Sequence, residues 1–194
     1  MRGIITIVLI AVGALLLISG CSTYNGLVNK DENVENAWSK VQSAYQERAD
    51  LVPNLVSTVK GYADFERGTL TEVTNARARA TSVNIDPSNL TPEKLQEFQQ
   101  AQNGLSQSLG RLLVTVERYP ELKANQNFLE LQNQLEGIEN RIRVERNRFN
   151  DEVTDYNKSV RRFPASFWAG VFGFDKKSQF EAQAGTQNAP KVEF

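Results

Sequence analysis

Ala49-Asp50-Leu51-Val52-Pro53-Asn54 is the stretch on which the reading of the fold turns. The sequence on both sides of it has helical spacing. Upstream, Val34, Ala37, Trp38, Val41 and Tyr45 recur at three- and four-residue steps. Downstream, Leu55, Val56, Val59, Tyr62, Leu70 and Val73 follow a similar rhythm. Such spacing gathers apolar side chains on one face of an α-helix. Proline has no N–H and crowds the turn before it, so Pro53 either kinks one long helix or separates two. In both cases it deprives the carbonyl four residues back, at Ala49, of a helical partner.

Length arbitrates between the two. A single helix from residue 27 to 81 would span roughly 80 Å, about twice the roughly 40 Å of a helix over residues 92–119. Half of its apolar stripe would then lack a partner. Division at Pro53 gives helices of similar length and predicts an all-α, antiparallel four-helix bundle. One helix kinked at Pro53 is the alternative, because Asp50–Val52 holds no glycine and makes a poor turn. Arg48, Asp50, Pro53 and Asn54 form a polar cluster at this break. Asn54 carries a donor and an acceptor, and Arg48 could reach freed carbonyls. The cluster is read as stabilising the break, with a ligand or partner contact there as the second reading.

Outward from the break, a third helix is marked by Leu95, Phe98, Ala101, Leu105, Leu109, Leu112, Val116 and Tyr119. A fourth is marked by Phe128, Leu131, Leu135, Ile138, Ile142, Phe149, Val153, Tyr156 and Val160. Residues 84–89 have a turn composition. Thr91-Pro92 reads as an N-cap followed by proline at the first helical position. Pro120 ends the third helix and Phe163-Pro164 the fourth. Residues 175–194 read as a polar, extended or mobile tail with few anchors.

The N-terminus opens Met1-Arg2, runs apolar from Gly3 to Gly20, and ends Ile18-Ser19-Gly20-Cys21. A short cationic start, an apolar stretch and small residues before a cut site describe an export signal. The last four residues resemble the bacterial lipobox, in which the cysteine thiol is lipidated and the chain is cut before it. The apolar run is also long enough to be an uncleaved transmembrane helix. Residues 1–20 are thus a lipoprotein signal peptide or a span, and 21–26 an anchor and linker. Residues 27–174 form the bundle and 175–194 the tail. Membrane lipid attached through Cys21 is the first expected partner. The bundle is placed outside the cytoplasm. In a host with two membranes it belongs on the outer one, facing the periplasm, because Ser22 rather than aspartate follows the cysteine.

Composition narrows the chemistry. Net charge is −1, with no overall basic balance to suggest nucleic acid. A single cysteine allows no internal disulfide, and the absence of histidine removes the commonest general base and metal ligand. Zinc sites built from Cys and His are excluded, and no phosphate or dinucleotide loop is present. No catalytic, cofactor-binding or metal-binding residue is assigned.

A family resemblance rests on long, ordered motifs. Ala37-Trp38-Ser39-Lys40-Val41, Glu47 to Val56, Val59-Lys60-Gly61-Tyr62 and Asn75 to Ala80 resemble the signature of the LemA family. Leu122-Lys123-Ala124-Asn125, Leu135 to Ile142, Phe149-Asn150, Tyr156-Asn157, Phe163-Pro164, Phe172-Gly173-Phe174 and Pro190 to Phe194 continue it in order. The resemblance implies an N-terminal membrane anchor followed by a helical bundle, and it carries over no catalytic residue. The chain departs from the family pattern at Cys21, and at Asp64-Phe65-Glu66, where the family often has a histidine.

Three surfaces remain. Glu139/Arg143, Arg141/Glu145 and Arg148/Glu152 form a ladder of opposite charges four apart, read as a solvated face. Glu139 and Arg146, near the apolar stripe, could instead join a buried network. Glu136 and Glu139 are the carboxylates an envelope hydrolase would use. Phe163, Phe167, Trp168, Val171, Phe172 and Phe174 either cap the core or lie at the membrane surface. Arg143, Arg148, Phe167, Trp168 and Phe172 are the candidate surface for an unidentified envelope protein. The expected role is structural or interactive rather than catalytic. A membrane adaptor with a cytoplasmic bundle is a further alternative. The oligomeric state is left open.

Overall fold

Pro53 does not divide the first helix. The computed structural model describes residues 2–61, 66–87 and 90–181, and every regular element in them is helical. These elements are α1 (Arg2–Lys60), α2 (Arg67–Ser82), α3 (Pro92–Val116), α4 (Pro120–Lys123), α5 (Gln126–Arg161) and α6 (Ala165–Phe172). Pro53 lies inside α1, which is 59 residues long. The four-element bundle divided at Pro53 is therefore corrected to six helices among the described residues. The alternative of one helix to residue 81 is corrected too, because the chain leaves α1 at Gly61 and α2 begins at Arg67.

The reason is a replaced hydrogen bond. The Ala49 carbonyl, orphaned by Pro53, accepts from Arg77 Nε of α2 at 2.7 Å. Arg77 also lies 3.9 Å from the Asp50 carboxylate. The partner does not come from Asn54, which is exposed, nor from Arg48, whose guanidinium turns to other helices. A guanidinium from a neighbouring helix thus removes much of the cost of proline in a helix interior.

The remaining boundaries follow their caps. Thr91 Oγ1 accepts from Lys94 N at 3.4 Å at the start of α3, as the Thr91-Pro92 pair predicts. Asn125 Oδ1 accepts from Phe128 N at 3.1 Å at the start of α5. Pro120 opens the short α4, while α3 already stops at Val116. Gly173 closes α6 at φ +77°, a left-handed conformation that favours glycine.

Ion pairs show the directions. Lys30 meets Asp155 and Glu47 meets Arg141, so α1 and α5 run antiparallel. Glu72 meets Arg111, and Gln102 reaches Ala80, so α2 and α3 do the same. The core falls into two clusters. One gathers Leu27, Val34, Trp38, Phe98, Phe149 and Tyr156 among others. The other gathers Val52, Leu55, Val73, Leu105, Leu112 and Phe128 among others. Along α1 the change comes between Tyr45 and Val52, along α3 between Phe98 and Leu105, and along α5 between Leu135 and Ile142.

The segment after α6 is pinned, against the expectation of few anchors. Asn157 and the Lys177 backbone exchange hydrogen bonds of 2.9 and 3.0 Å. Asn150 and the Phe180 backbone exchange bonds of 3.2 and 2.9 Å. Two asparagines seven residues apart on α5 thus offer an extended chain the donor and acceptor pattern of a strand edge. Phe180 is buried and stacks on Trp38 with ring centroids 5.8 Å apart. Residues 182–194 of the expected tail lie outside the described residues.

The replaced bond predicts an interaction between two substitutions. Arg77→Ala leaves a buried carbonyl unpartnered and is expected to cost about 1–3 kcal/mol. In a Pro53→Ala background the backbone N–H returns, and most of that cost disappears. Urea unfolding of the four variants measures the coupling, and additive effects contradict the account.

Candidate functional site

Arg48 sits where the two core clusters meet, and it is only 1% exposed. A buried guanidinium is costly unless its donors find partners. Nη1 donates to Glu139 Oε1 at 2.8 Å and to Ser106 Oγ at 2.6 Å. Nη2 donates to Gln102 Oε1 at 2.7 Å and to the Gln102 carbonyl at 3.1 Å. The Tyr45 ring centroid lies 5.0 Å from Arg48 Cζ, close enough for a cation–π contact. Gln102 passes the link on, since its Nε2 donates to the Ala80 carbonyl at 3.1 Å. One side chain of α1 therefore ties α3 and α5 directly, and α2 through Gln102. Burial raises the Tyr45 hydroxyl above its ordinary pKa, with Arg146 and Arg48 opposing, so it stays neutral beside the cation.

An open cleft of about 620 Å³ lies over this layer, lined by Gln42, Tyr45, Glu47, Asn84, Gln102 and Arg141 among others. Several of these groups already satisfy one another. Gln42 Nε2 donates to Asn84 Oδ1 and to the Ile85 carbonyl, both at 3.1 Å. Arg141 Nη1 donates to both Glu47 oxygens at 2.6 and 2.9 Å. The cleft is thus a polar seam between helices.

The expected charge ladder on α5 is not formed. Glu139 is taken by Arg48, Arg141 by Glu47 and Arg143 by Asn140. None of the three pairs four apart closes as a salt bridge among the described residues. For Glu139 and Arg141 partners on α1 outcompete the weak helix-surface pairing, while Arg143 bonds within α5. Glu139 belongs to the buried network that was the other reading of it, and Arg146 lies over the Phe180 ring at 4.5 Å. Glu136 is exposed, and Glu139 is bonded to Arg48, so the two do not form a free carboxylate pair. Among the described residues no group of His, Cys, Asp and Glu is placed to hold a metal ion.

The second assembly is at the pole where α1 leaves the bundle. Cys21 is exposed there. Gly20 is buried against α6, and a Cβ in its place would stand 3.2 Å from the Trp168 ring. Tyr24 meets Phe172 and Phe174 edge-on, with centroids 5.0 and 5.8 Å away. Trp168 stacks on Phe172 at 5.8 Å and meets Phe167 edge-on at 5.3 Å. Within α6 only Ala169 is fully buried, whereas Phe163 just before it, Phe167 and Val171 are 84%, 63% and 60% exposed. The segment docks on the bundle through Ala169, Trp168, Phe172 and Phe174 and leaves Phe163, Phe167 and Val171 outside.

Arg77, Ser106 and Gln102 escaped the sequence reading. Gln102 had a signal, because it falls on the helical step between Phe98 and Leu105 and so marks a polar interruption of the stripe. Arg77 had none, since its target lies 28 residues away.

The network predicts unequal costs. Arg48→Ala strands Glu139 and opens a void, and is expected to cost about 3–5 kcal/mol. Glu139→Gln, at a side chain 42% exposed, keeps a hydrogen bond and costs roughly 1 kcal/mol. Arg48→Met, which fills the space without a charge, is expected between them. Chemical denaturation ranks the three, and a larger loss for Glu139→Gln than for Arg48→Ala contradicts the assignment.

Protein LemA of Metamycoplasma hominis is 24% identical over 139 residues, covering 72% of this chain and 60% of its own length. Magnetosome protein MamQ of Magnetospirillum gryphiswaldense is 25% identical over 199 residues, covering 91% of this chain and 73% of its own. Magnetosome protein MamQ 1 of Paramagnetospirillum magneticum is 23% identical over 175 residues, covering 81% and 64%. The chain thus spans only 60% of the length of the Metamycoplasma relative. The LemA family model matches residues 37–194, a stretch that runs from the Trp38 turn of α1 through α6 and beyond it. The chain belongs to the LemA family.

Proposed function

We propose that this protein is a membrane-anchored, extracytoplasmic component of the bacterial cell envelope whose bundle has a non-catalytic, structural or protein-binding role. The observation that carries this reading is the first part of α1. It contains an 18-residue window of mean hydropathy 2.8, of which 6% is buried against the rest of the chain. Ile4, Ile7, Leu9, Ile10, Leu15 and Leu17 are each more than half exposed. Eighteen helical residues span about 27 Å, close to the thickness of a hydrocarbon core. Beyond Leu27 the same helix turns its apolar side chains into the bundle.

Attachment is through a lipid on Cys21, whose exposed thiol follows Ile18-Ser19-Gly20. Two acyl chains make such an anchor stable, since each buried methylene adds ~0.8 kcal/mol. Ser22 directs the protein to the outer membrane of a host that has one. A second reading, an uncleaved span, is favoured by one contact: Gly20, which processing would remove, is packed against Trp168. The partner surface is the outer face of α5, where Arg143 and Arg148 are exposed and neither is engaged in a salt bridge among the described residues. The non-catalytic reading is supported by the absence of histidine and by the commitment of Glu139 to Arg48.

Intact-mass analysis of the protein extracted from membranes tests the anchor. The expected mass lacks residues 1–20 and carries a diacylglycerol thioether on Cys21, and Cys21→Ser is expected to abolish both changes. An unmodified chain that begins at Met1 and stays in the membrane fraction establishes the second reading. A chain found in the soluble fraction contradicts both.

A further inference from the structure

We infer that the outer edge of α6, formed by Phe163, Phe167 and Val171, lies in the interfacial layer of the bilayer and seats the bundle on the lipid surface beside its anchor. The inference rests on the membrane-anchored reading and holds for either form of anchor.

Position is the first argument. The apolar run of α1 ends at Gly20, which by length stands at one face of the hydrocarbon layer. Trp168 touches α1 at that residue, and Phe172 meets Tyr24 one turn further on. The Tyr24 contacts keep α6 at this pole even if the chain begins at Cys21.

Composition is the second. Ala165–Phe172 reads Ala-Ser-Phe-Trp-Ala-Gly-Val-Phe and contains no charged residue. Phe167 and Val171 are four apart and share one side of α6, and Phe163 stands exposed in the turn just before the helix. Ala165 and Ala169 are the less exposed positions, and Ala169 joins the core cluster. Trp168 is half-buried as well, against Gly20, but Phe167 and Val171 stay exposed, and an exposed apolar edge of this kind marks a contact surface. Aromatic side chains are favoured at the level of the lipid headgroups.

Charge and continuity select lipid as the occupant. Arg161 and Arg162 are exposed immediately before this segment, while exposed Asp175 and Lys176 follow it with opposite charges. Cations beside an apolar edge suit a surface of anionic headgroups. In the uncleaved form Leu17 and Ile18, just before the Gly20 contact with Trp168, are 70% and 67% exposed. Any protein covering α6 would have to sit at the height of the bilayer itself.

The test uses the full chain, purified from membranes and reconstituted into vesicles of phosphatidylcholine and phosphatidylglycerol. Some vesicles contain phosphatidylcholine brominated at shallow acyl positions. Trp38 is fully buried and stays as an internal reference. Trp168→Phe leaves that reference alone. Adding Phe167→Trp places an indole on the α6 edge. Adding Leu129→Trp instead places one near the start of α5, at the opposite end of that helix. Circular dichroism confirms that each variant keeps its helices, and flotation reports attachment separately.

The indole at position 167 is expected to lose about half or more of its emission in brominated vesicles and to be shielded from acrylamide. The indole at position 129 is expected to show the reverse. If the indole at 167 is unquenched by bromine and open to acrylamide, the inference is overturned. Shielding from both quenchers also overturns it, in favour of a second protein surface over α6. A chain that fails to float overturns the anchored reading and this inference with it, whereas the other outcomes leave the anchor standing.

Discussion

One turn of α1 holds the structure together. At its centre Pro53 withdraws a hydrogen bond from the Ala49 carbonyl, and Arg77 of α2 replaces it. One residue earlier Arg48 reaches the other way, into Gln102 and Ser106 of α3 and Glu139 of α5. The incoming guanidinium lets α1 continue through a proline, and the outgoing one fixes where the neighbours cross it. Four hydrogen bonds serve the two terminal nitrogens of Arg48 while its buried Nε has none, and a charge partnered this specifically admits few alternative registers. The apolar clusters on either side supply most of the burial, but they are tolerant of sliding in a way that the polar layer is not.

Continuity of α1 has a mechanical consequence. The apolar segment that leaves the bundle and the stripe that fills both core clusters belong to a single helix. No loop separates that apolar segment from the bundle. At the anchor pole further contacts close the assembly. Lys177 pairs with Asp31, and burial, with Asp31 and Asp175 nearby, pushes the Tyr156 hydroxyl up to about 12. Tyr156 therefore stays protonated at neutral pH and donates to the Asp175 carbonyl at 2.9 Å. The stretch Asp175–Glu181 is a strap laid along α5, and Phe180 is its plug in the core beside Trp38 and Phe149.

Much of this was legible in the sequence. Apolar spacing marked the chain as helical and located α3 and α5, Thr91-Pro92 marked the start of α3, and the spacing of Trp38, Phe98, Phe149 and Tyr156 marked core positions, but it joined Leu55 to Val73 across the break between α1 and α2. What could not be read has a common physical character. Sequence shows that Pro53 orphans a carbonyl but not that Arg77 will fill it, because the repair comes from another helix. Two members of the ladder on α5 proved tertiary, since Arg48 takes Glu139 and Glu47 takes Arg141 from the partners four residues away. The tail read as having few anchors because those it has, Asn150 and Asn157, are polar residues on α5 that any surface helix could carry. The aromatic segment was open to two readings, core cap or membrane surface. The structure buries Ala169 and leaves Phe163 and Phe167 outside.

The account stands or falls on whether α1 is one helix through Pro53. Nitroxides at Lys40 and Lys60, both exposed, measure this in a Cys21→Ser background that leaves no other thiol. Twenty residues of uninterrupted helix place their backbones about 30 Å apart, and a single narrow distance there is the predicted result. A hairpin at Pro53 would bring them to roughly 15 Å, and that distance, or a broad spread between the two, would contradict the claim.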